Sequence, residues 1–119
     1  MNKKELKKKM KKYEESHVIF WKGYGHLIWR YDTGNTVQLC DIEAYKKRQG
    51  IGKRLLRQMV NNLNSDDAHC IYGFTAEKNK VAQAFYKAVG FTVSLKIDDL
   101  YKKGGAYLIV MPYSRAKKI

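Results

Sequence analysis

The order of the elements read from this sequence predicts an α+β fold: a mixed sheet of about six strands with helices, in one domain over residues 1–119. Three observations predict it. Residues 17–44 read as three short strands joined by turns, an antiparallel meander. Residues 42–75 then run strand, glycine loop, helix, strand, an order that sets two strands parallel. A second helix and a closing strand pair follow, so parallel and antiparallel pairing share one sheet.

Each element has its own signal. Residues 2–15 predict a helix, with Leu6, Met10 and Tyr13 as a narrow apolar stripe among lysines. Residues 17–21 and 26–31 predict strands, with Gly23-Tyr24-Gly25 between them. Asp32-Thr33-Gly34-Asn35 is a turn cluster. Residues 36–44 predict a third strand. Strict alternation would put Val37, Leu39, Asp41 and Glu43 on one face, and Gln38, Cys40, Ile42 and Ala44 on the other. A helix follows, with Ile51, Leu55, Leu56, Met59, Val60 and Leu63 at helical spacing. Residues 64–67 end it, and residues 70–75 predict the parallel strand. Residues 79–89 predict the second large helix, with Val81, Phe85, Ala88 and Val89 toward the core and Gly90 as its C-cap. Residues 91–97 and 106–112 predict the last strands, joined by a loop holding Gly104 and Gly105. The basic tail, residues 114–119, reads as frayed.

Composition bounds the chemistry. The chain has 119 residues, two Trp and nine Tyr, which suits one folded core. No apolar run approaches membrane-spanning length. The N-terminal stretch is charged throughout and has no apolar signal core, which predicts a cytoplasmic protein. Cys40 and Cys70 read as reduced thiols. Neither they nor His17, His26 and His69 show zinc-ligand spacing, so no metal is expected. The net charge of +13 suits an anionic ligand, or an acidic partner such as nucleic acid. It equally suits plain solubility.

The loop between the third strand and its helix concentrates this charge. Lys46, Lys47, Arg48 and Gln49 precede Gly50-Ile51-Gly52, and Lys53, Arg54 and Arg57 follow. A strand, a glycine turn and a helix N-terminus make an anion site, because the first helical N–H groups point outward unpaired. A P-loop is excluded: Gly52-Lys53 is followed by Arg54, and Lys47 stands where the first glycine belongs. A dinucleotide fingerprint is excluded by Leu55 in place of its third glycine.

Two motifs in order carry a family resemblance. Lys47-Arg48-Gln49-Gly50-Ile51-Gly52 resembles the pyrophosphate loop [Gln/Arg]-x-x-Gly-x-[Gly/Ala] of the GNAT superfamily of acyl-CoA-dependent N-acyltransferases, with Lys47 in place of Arg or Gln. Asn79-x-x-Ala82-x-x-Phe85-Tyr86-x-x-x-Gly90-Phe91 resembles that family's second motif, one helix and one strand later. The resemblance implies a centrally splayed sheet with helices on both faces, and acetyl-CoA as co-substrate. It places the pantetheine arm along the backbone of Cys40, Ile42 and Ala44. It places the pyrophosphate at Lys47, Arg48, Gln49, Gly50, Ile51, Gly52 and Lys53, with Asn79, Ala82 and Tyr86 bordering the gap. Tyr86 would serve the departing thiolate, and a backbone N–H near residues 40–42 the carbonyl oxygen. Glu43 or Asp41 would serve as base, directly or through water.

The expected activity is acetyl transfer from acetyl-CoA to a primary amine, directly within a ternary complex. The acceptor is not specified, and a protein amine is one candidate. The N-terminal half matches the family poorly, having one lysine-rich helix where a strand and two helices are usual. Two other functions stay open: a non-catalytic acyl-CoA-binding module, and a basic nucleic-acid-binding protein on the same scaffold. A monomer and a homodimer are both compatible with the sequence.

Overall fold

The computed structural model describes residues 1–102 and 104–119. The elements run α1 (Lys3–Met10), β1 (His17–Trp21), β2 (Gly25–Asp32), β3 (Thr36–Ala44) and α2 (Ile51–Asn62). After a 3-10 turn at Ser65–Asp67 come β4 (Cys70–Ala76), α3 (Lys80–Val89), β5 (Thr92–Tyr101), β6 (Gly104–Pro112) and α4 (Tyr113–Ala116). One six-stranded sheet has the order β1-β2-β3-β4-β6-β5. β3 and β4 are parallel, and every other neighbouring pair is antiparallel. This is the mixed sheet that the meander and the strand–helix–strand order predict.

One face of the sheet carries the main core. Leu27, Trp29, Val37, Leu39, Ile71, Ile109 and Met111 pack there with the α2 stripe of Ile51, Leu55, Leu56, Met59 and Val60. That stripe is the one expected from the helical spacing. α3 joins the same face, where the Phe85 ring lies over Gly52 of α2. α1 covers the opposite face through buried Leu6, with Lys9 reaching Asp41. Helices therefore lie on both faces.

Five expectations are corrected, the last of them in β3. First, α1 stops at Met10 rather than running to residue 15. Residues 11–15 are turns, and Glu15 has a left-handed φ of 55°. The lysines crowd like charge along the helix, and one narrow stripe gives little packing to offset it. Second, the α3 core stripe is Gln83 and Tyr86, with Ala82, Phe85 and Val89 half-buried; Val81 is 83% exposed and Ala88 is exposed too. Gln83 wins its place because its amide Nε2 donates to Ala76 O at 3.1 Å and to Glu77 O at 2.9 Å, tying α3 to the end of β4.

Third, the tail is docked. Ala116 is buried, Arg115 Nε donates to Gly90 O at 3.1 Å, and Arg57 Nε donates to Ile119 O at 3.0 Å. Fourth, Gly104 and Gly105 lie within β6, since β5 continues to Tyr101. A Cβ on Gly105 would stand 2.8 Å from Ile97 O, so glycine lets the two strands approach there. The expected loop also takes in Lys103, which lies outside the described residues.

β3 also departs from strict alternation. Trp29 pairs with Leu39 but Ile28 pairs with Asp41, so Cys40 is an extra residue, a β-bulge. Beyond it the faces exchange. Ile42 opposes Leu27 and packs on the main core with Val37 and Leu39. Asp41 and Glu43 oppose Ile28 and His26 on the α1 face. The expected sharing of one face by Val37, Leu39, Asp41 and Glu43 is thus overturned by one inserted residue.

Candidate active site

The parallel pairing of β3 with β4 is short. It runs from Thr36 and Cys70 to Leu39 and Gly73, and ends there. Gly73 has no Cβ to keep β3 away; one would stand 2.9 Å from Leu39 O. Beyond this point the strands part, and a cleft of about 260 Å³ opens between them. Residues 39–42 of β3 form one wall and residues 74–76 of β4 the other. Asn79, Ala82 and Tyr86 of α3 border it, and Tyr13 and Tyr101 complete its rim.

Of the residues named from sequence, Cys40, Ile42, Asn79, Ala82 and Tyr86 meet at this cleft, together with Asp41. Glu43 and Ala44 do not line it; both are exposed on the strand beyond. The residues from Lys47 to Lys53 lie past the end of β3, at the start of α2. There Gly50 caps α2 in a left-handed conformation, with φ 67° and no side-chain cap. The first bond within the helix runs from Arg54 N–H to Gly50 O at 3.1 Å, and the first turn contains no acidic residue. The N–H groups of Ile51, Gly52 and Lys53 precede that bond. Lys47, Arg48, Gln49 and Lys53 are exposed around them.

The two glycines serve different ends. Gly50 has open space around its Cβ position, so its requirement is the positive φ. A Cβ on Gly52 would lie 2.9 Å from Phe85 Cζ, so its requirement is the close contact of α2 with α3.

Tyr86 is 8% exposed and packs edge-on to Phe91. Burial, reinforced by the Asp41 charge, pushes its phenol up to about 12. It therefore stays protonated and remains a hydrogen-bond donor near neutral pH. Burial likewise pushes the Cys40 thiol up to about 11, which keeps it a poor nucleophile. Asn79 caps α3, its Oδ1 accepting from Ala82 N–H at 3.0 Å. Its amide nitrogen makes no hydrogen bond among the described residues.

A hydrogen-bonded chain behind the cleft went unread in the sequence. Asp41 Oδ2 accepts from Lys9 Nζ at 3.0 Å and from His26 Nε2 at 2.6 Å. His26 is fully buried, and its Nδ1 lies 2.6 Å from the Tyr45 hydroxyl. In the tautomer whose Nε2 proton is directed at the carboxylate, His26 accepts at Nδ1 from Tyr45 O–H. Burial opposes ionisation of Asp41, but the hydrogen bonds from His26 and Lys9 outweigh it and hold the carboxyl below its usual range. Glu43 Oε2 stands 3.8 Å from the same Lys9 Nζ. The missed signal was the pairing of β2 with β3. Alternation alone puts His26 and Ile28 on one face of β2, but the bulge hides which β3 residues they meet.

Comparison with known proteins decides the family. A family model described as the acetyltransferase (GNAT) domain matches residues 1–114. This chain belongs to the GNAT acetyltransferase family. No curated protein sequence matches the chain. Solved structures share this GNAT fold at low identity. An acetyltransferase of the family from Desulfovibrio desulfuricans has a TM-score of 0.74 at 18% identity, covering 92% of this chain and 77% of its own. A Bacillus subtilis acetyltransferase in complex with CoA gives 0.74 at 15%, covering 92% and 84%. The Escherichia coli N-acetyltransferase of a ribosomal-protein alanine gives 0.70 at 18%, covering 95% and 77%. The chain is thus a GNAT N-acetyltransferase, and the family uses acetyl-CoA. Among the described residues, no helix is long and apolar enough to cross a membrane.

Proposed function

We propose that this GNAT enzyme moves an acetyl group from acetyl-CoA to a primary amine by direct attack, with both substrates bound together. The parting of β3 from β4 after Leu39 and Gly73 carries this reading. It leaves one backbone edge of β3 without a strand partner, beside Asp41 and Tyr86. The pantetheine arm supplies the missing pairing along Cys40, Ile42 and Ala44. The pyrophosphate meets the free N–H groups of Ile51, Gly52 and Lys53, flanked by Lys47, Arg48 and Gln49. Asn79 and Ala82 border the arm.

The amine attacks the thioester carbonyl once it has lost a proton, since a free lysine ammonium has a pKa of about 10.4. Asp41 lines the cleft and receives that proton, directly or through water. Glu43, on the rim, is the secondary candidate. A backbone N–H within residues 40–42 stabilises the carbonyl oxygen as it gains charge. Tyr86 donates a hydrogen bond to the departing sulfur. With its phenol up at about 12, it gives a hydrogen bond more readily than a whole proton to a thiolate of ordinary pKa about 8.5. Cys40, held protonated, takes no covalent part. The open cleft suits an amine presented by a protein. One structural neighbour acts, by its name, on a ribosomal-protein alanine.

Thermal unfolding with acetyl-CoA, and with ATP as an anionic control, tests the reading. Acetyl-CoA at a hundred times its Kd stabilises by about 2.7 kcal/mol, and ATP at the same concentration does not. Equal responses would reduce the loop to a general anion site and remove the proposal.

A further inference from the structure

The last turn of α1 carries Lys9, which reaches the cleft-lining Asp41, and Tyr13, just beyond the helix, is part of the cleft's rim. From this turn Lys9 Nζ donates to Asp41 Oδ2 at 3.0 Å and stands 3.8 Å from Glu43 Oε2. The Lys9 side chain is 36% exposed. Lys7 and Lys8, its neighbours on the helix, are exposed on the surface. Lys9 is thus a primary amine already seated on the carboxylate to which the reading above assigns the acceptor's proton.

We propose that Lys9 is an internal acceptor, and that the enzyme acetylates its own Lys9 Nζ. This rests on the proposed acetyl transfer. The ammonium first loses one proton, to Asp41 and then to water. The nitrogen lone pair forms a bond to the acetyl carbon, and the C–S bond breaks with its electron pair leaving on sulfur. The thiolate, hydrogen-bonded by Tyr86, takes a proton from water, and the new amide nitrogen loses its second proton. The products are Nε-acetyl-lysine and free coenzyme thiol, with no oxidant or further reactant. Acetylation removes the Lys9 charge, so its ion pairs with Asp41 and Glu43 are lost. Asp41 then keeps its hydrogen bond from His26 but no longer carries a cation against it.

The test incubates the full chain with acetyl-CoA alone, cleaves at Glu5 and Glu14, and follows each lysine of that peptide by mass spectrometry. Lys9 gains acetyl at least about tenfold faster than Lys7 and Lys8, because its nucleophile is held in place. The rate constant does not change with protein concentration, and heat-unfolded chain shows no such preference. Lys9→Arg keeps the ion pair and the fold but abolishes the fast phase. Equal labelling of the three lysines overturns the inference when acetyl-CoA still stabilises the fold and an added amine is still acetylated. If acetyl-CoA neither stabilises the chain nor acetylates any amine, the transfer reading falls, and the inference with it.

Discussion

Tyr86 joins a packing role to the chemistry proposed for it. Its ring belongs to the core with Phe91, while its residue borders the cleft. Tyr86→Phe keeps the ring and removes the donor. Turnover should fall about 10²-fold, the usual effect of losing one transition-state hydrogen bond, while affinity for acetyl-CoA changes little. Steady-state kinetics beside a direct binding titration checks it. Asp41 allows a pH prediction with a definite sign. Its carboxyl is held below the usual range in the folded chain by His26 and Lys9, against its burial. Its stabilising contribution is therefore fully present above the unfolded value of about 3.9, and is lost as pH falls through the folded value. The wild-type advantage in melting temperature over Asp41→Asn should shrink below about pH 4. The residues at this scale were legible where a motif named them, as with Tyr86 and Asn79. His26, Tyr45 and Lys9 were not, because they come together across strands and from a helix on the far face. No spacing along one segment encodes that.

At the scale of elements, the loop glycines separate two causes that a motif merges. Gly→Ala inside a helix ordinarily gains up to about 1 kcal/mol from propensity. At Gly52 the new Cβ would meet the Phe85 ring at 2.9 Å, and overpacking of about 1–3 kcal/mol wins. Gly52→Ala should therefore destabilise the fold in urea, and Phe85→Leu in the same chain should recover part of the loss. Gly50→Ala meets no atom but must hold a φ of 67°, at about 1–2 kcal/mol. Phe85→Leu should leave that loss untouched. Element identity was legible wherever periodicity was strong, and the α2 stripe is the clear case. α3 offered two competing stripes of similar apolar content. Its docking is settled by Gln83 reaching the backbone of β4 and by Phe85 on Gly52, both tertiary contacts. The α4 tail reads as polar and frayed because its anchors are single side chains, Arg115 and Arg57, bonded to distant carbonyls.

Across the whole molecule, charge and topology point to the same place. The excess of +13 sits on a chain whose α2 begins with free N–H groups and exposed Lys47, Arg48 and Lys53. If phosphates bind there, coenzyme affinity depends on ionic strength. Raising salt from about 0.05 M to 0.5 M shortens the screening length to a few ångströms, and acetyl-CoA should bind several-fold more weakly. A truncated acetyl thioester without phosphates should be nearly indifferent, which a competition titration would read. The sheet order itself was legible in outline, because a meander followed by a strand–helix–strand unit allows few arrangements. The point at which β3 and β4 part was legible only through the family resemblance. Gly73 lets the strands approach up to that point and the inserted Cys40 stands just past it, and neither marks itself in the sequence.

That inserted residue gives β3 an odd–even phase that changes partway along its length. Before Cys40 the odd-numbered Val37 and Leu39 belong to the oily interior; after it the even-numbered Ile42 does. A single strand can thus feed Val37, Leu39 and Ile42 to one compartment while Asp41 and Glu43 keep company with His26 and Lys9 in the other. The ionisable groups of the site depend on this count. Straightening the strand with all its residues kept would send the carboxylates into the hydrocarbon and Ile42 toward the water, whereas deleting Cys40 would restore plain alternation and leave each on its present side.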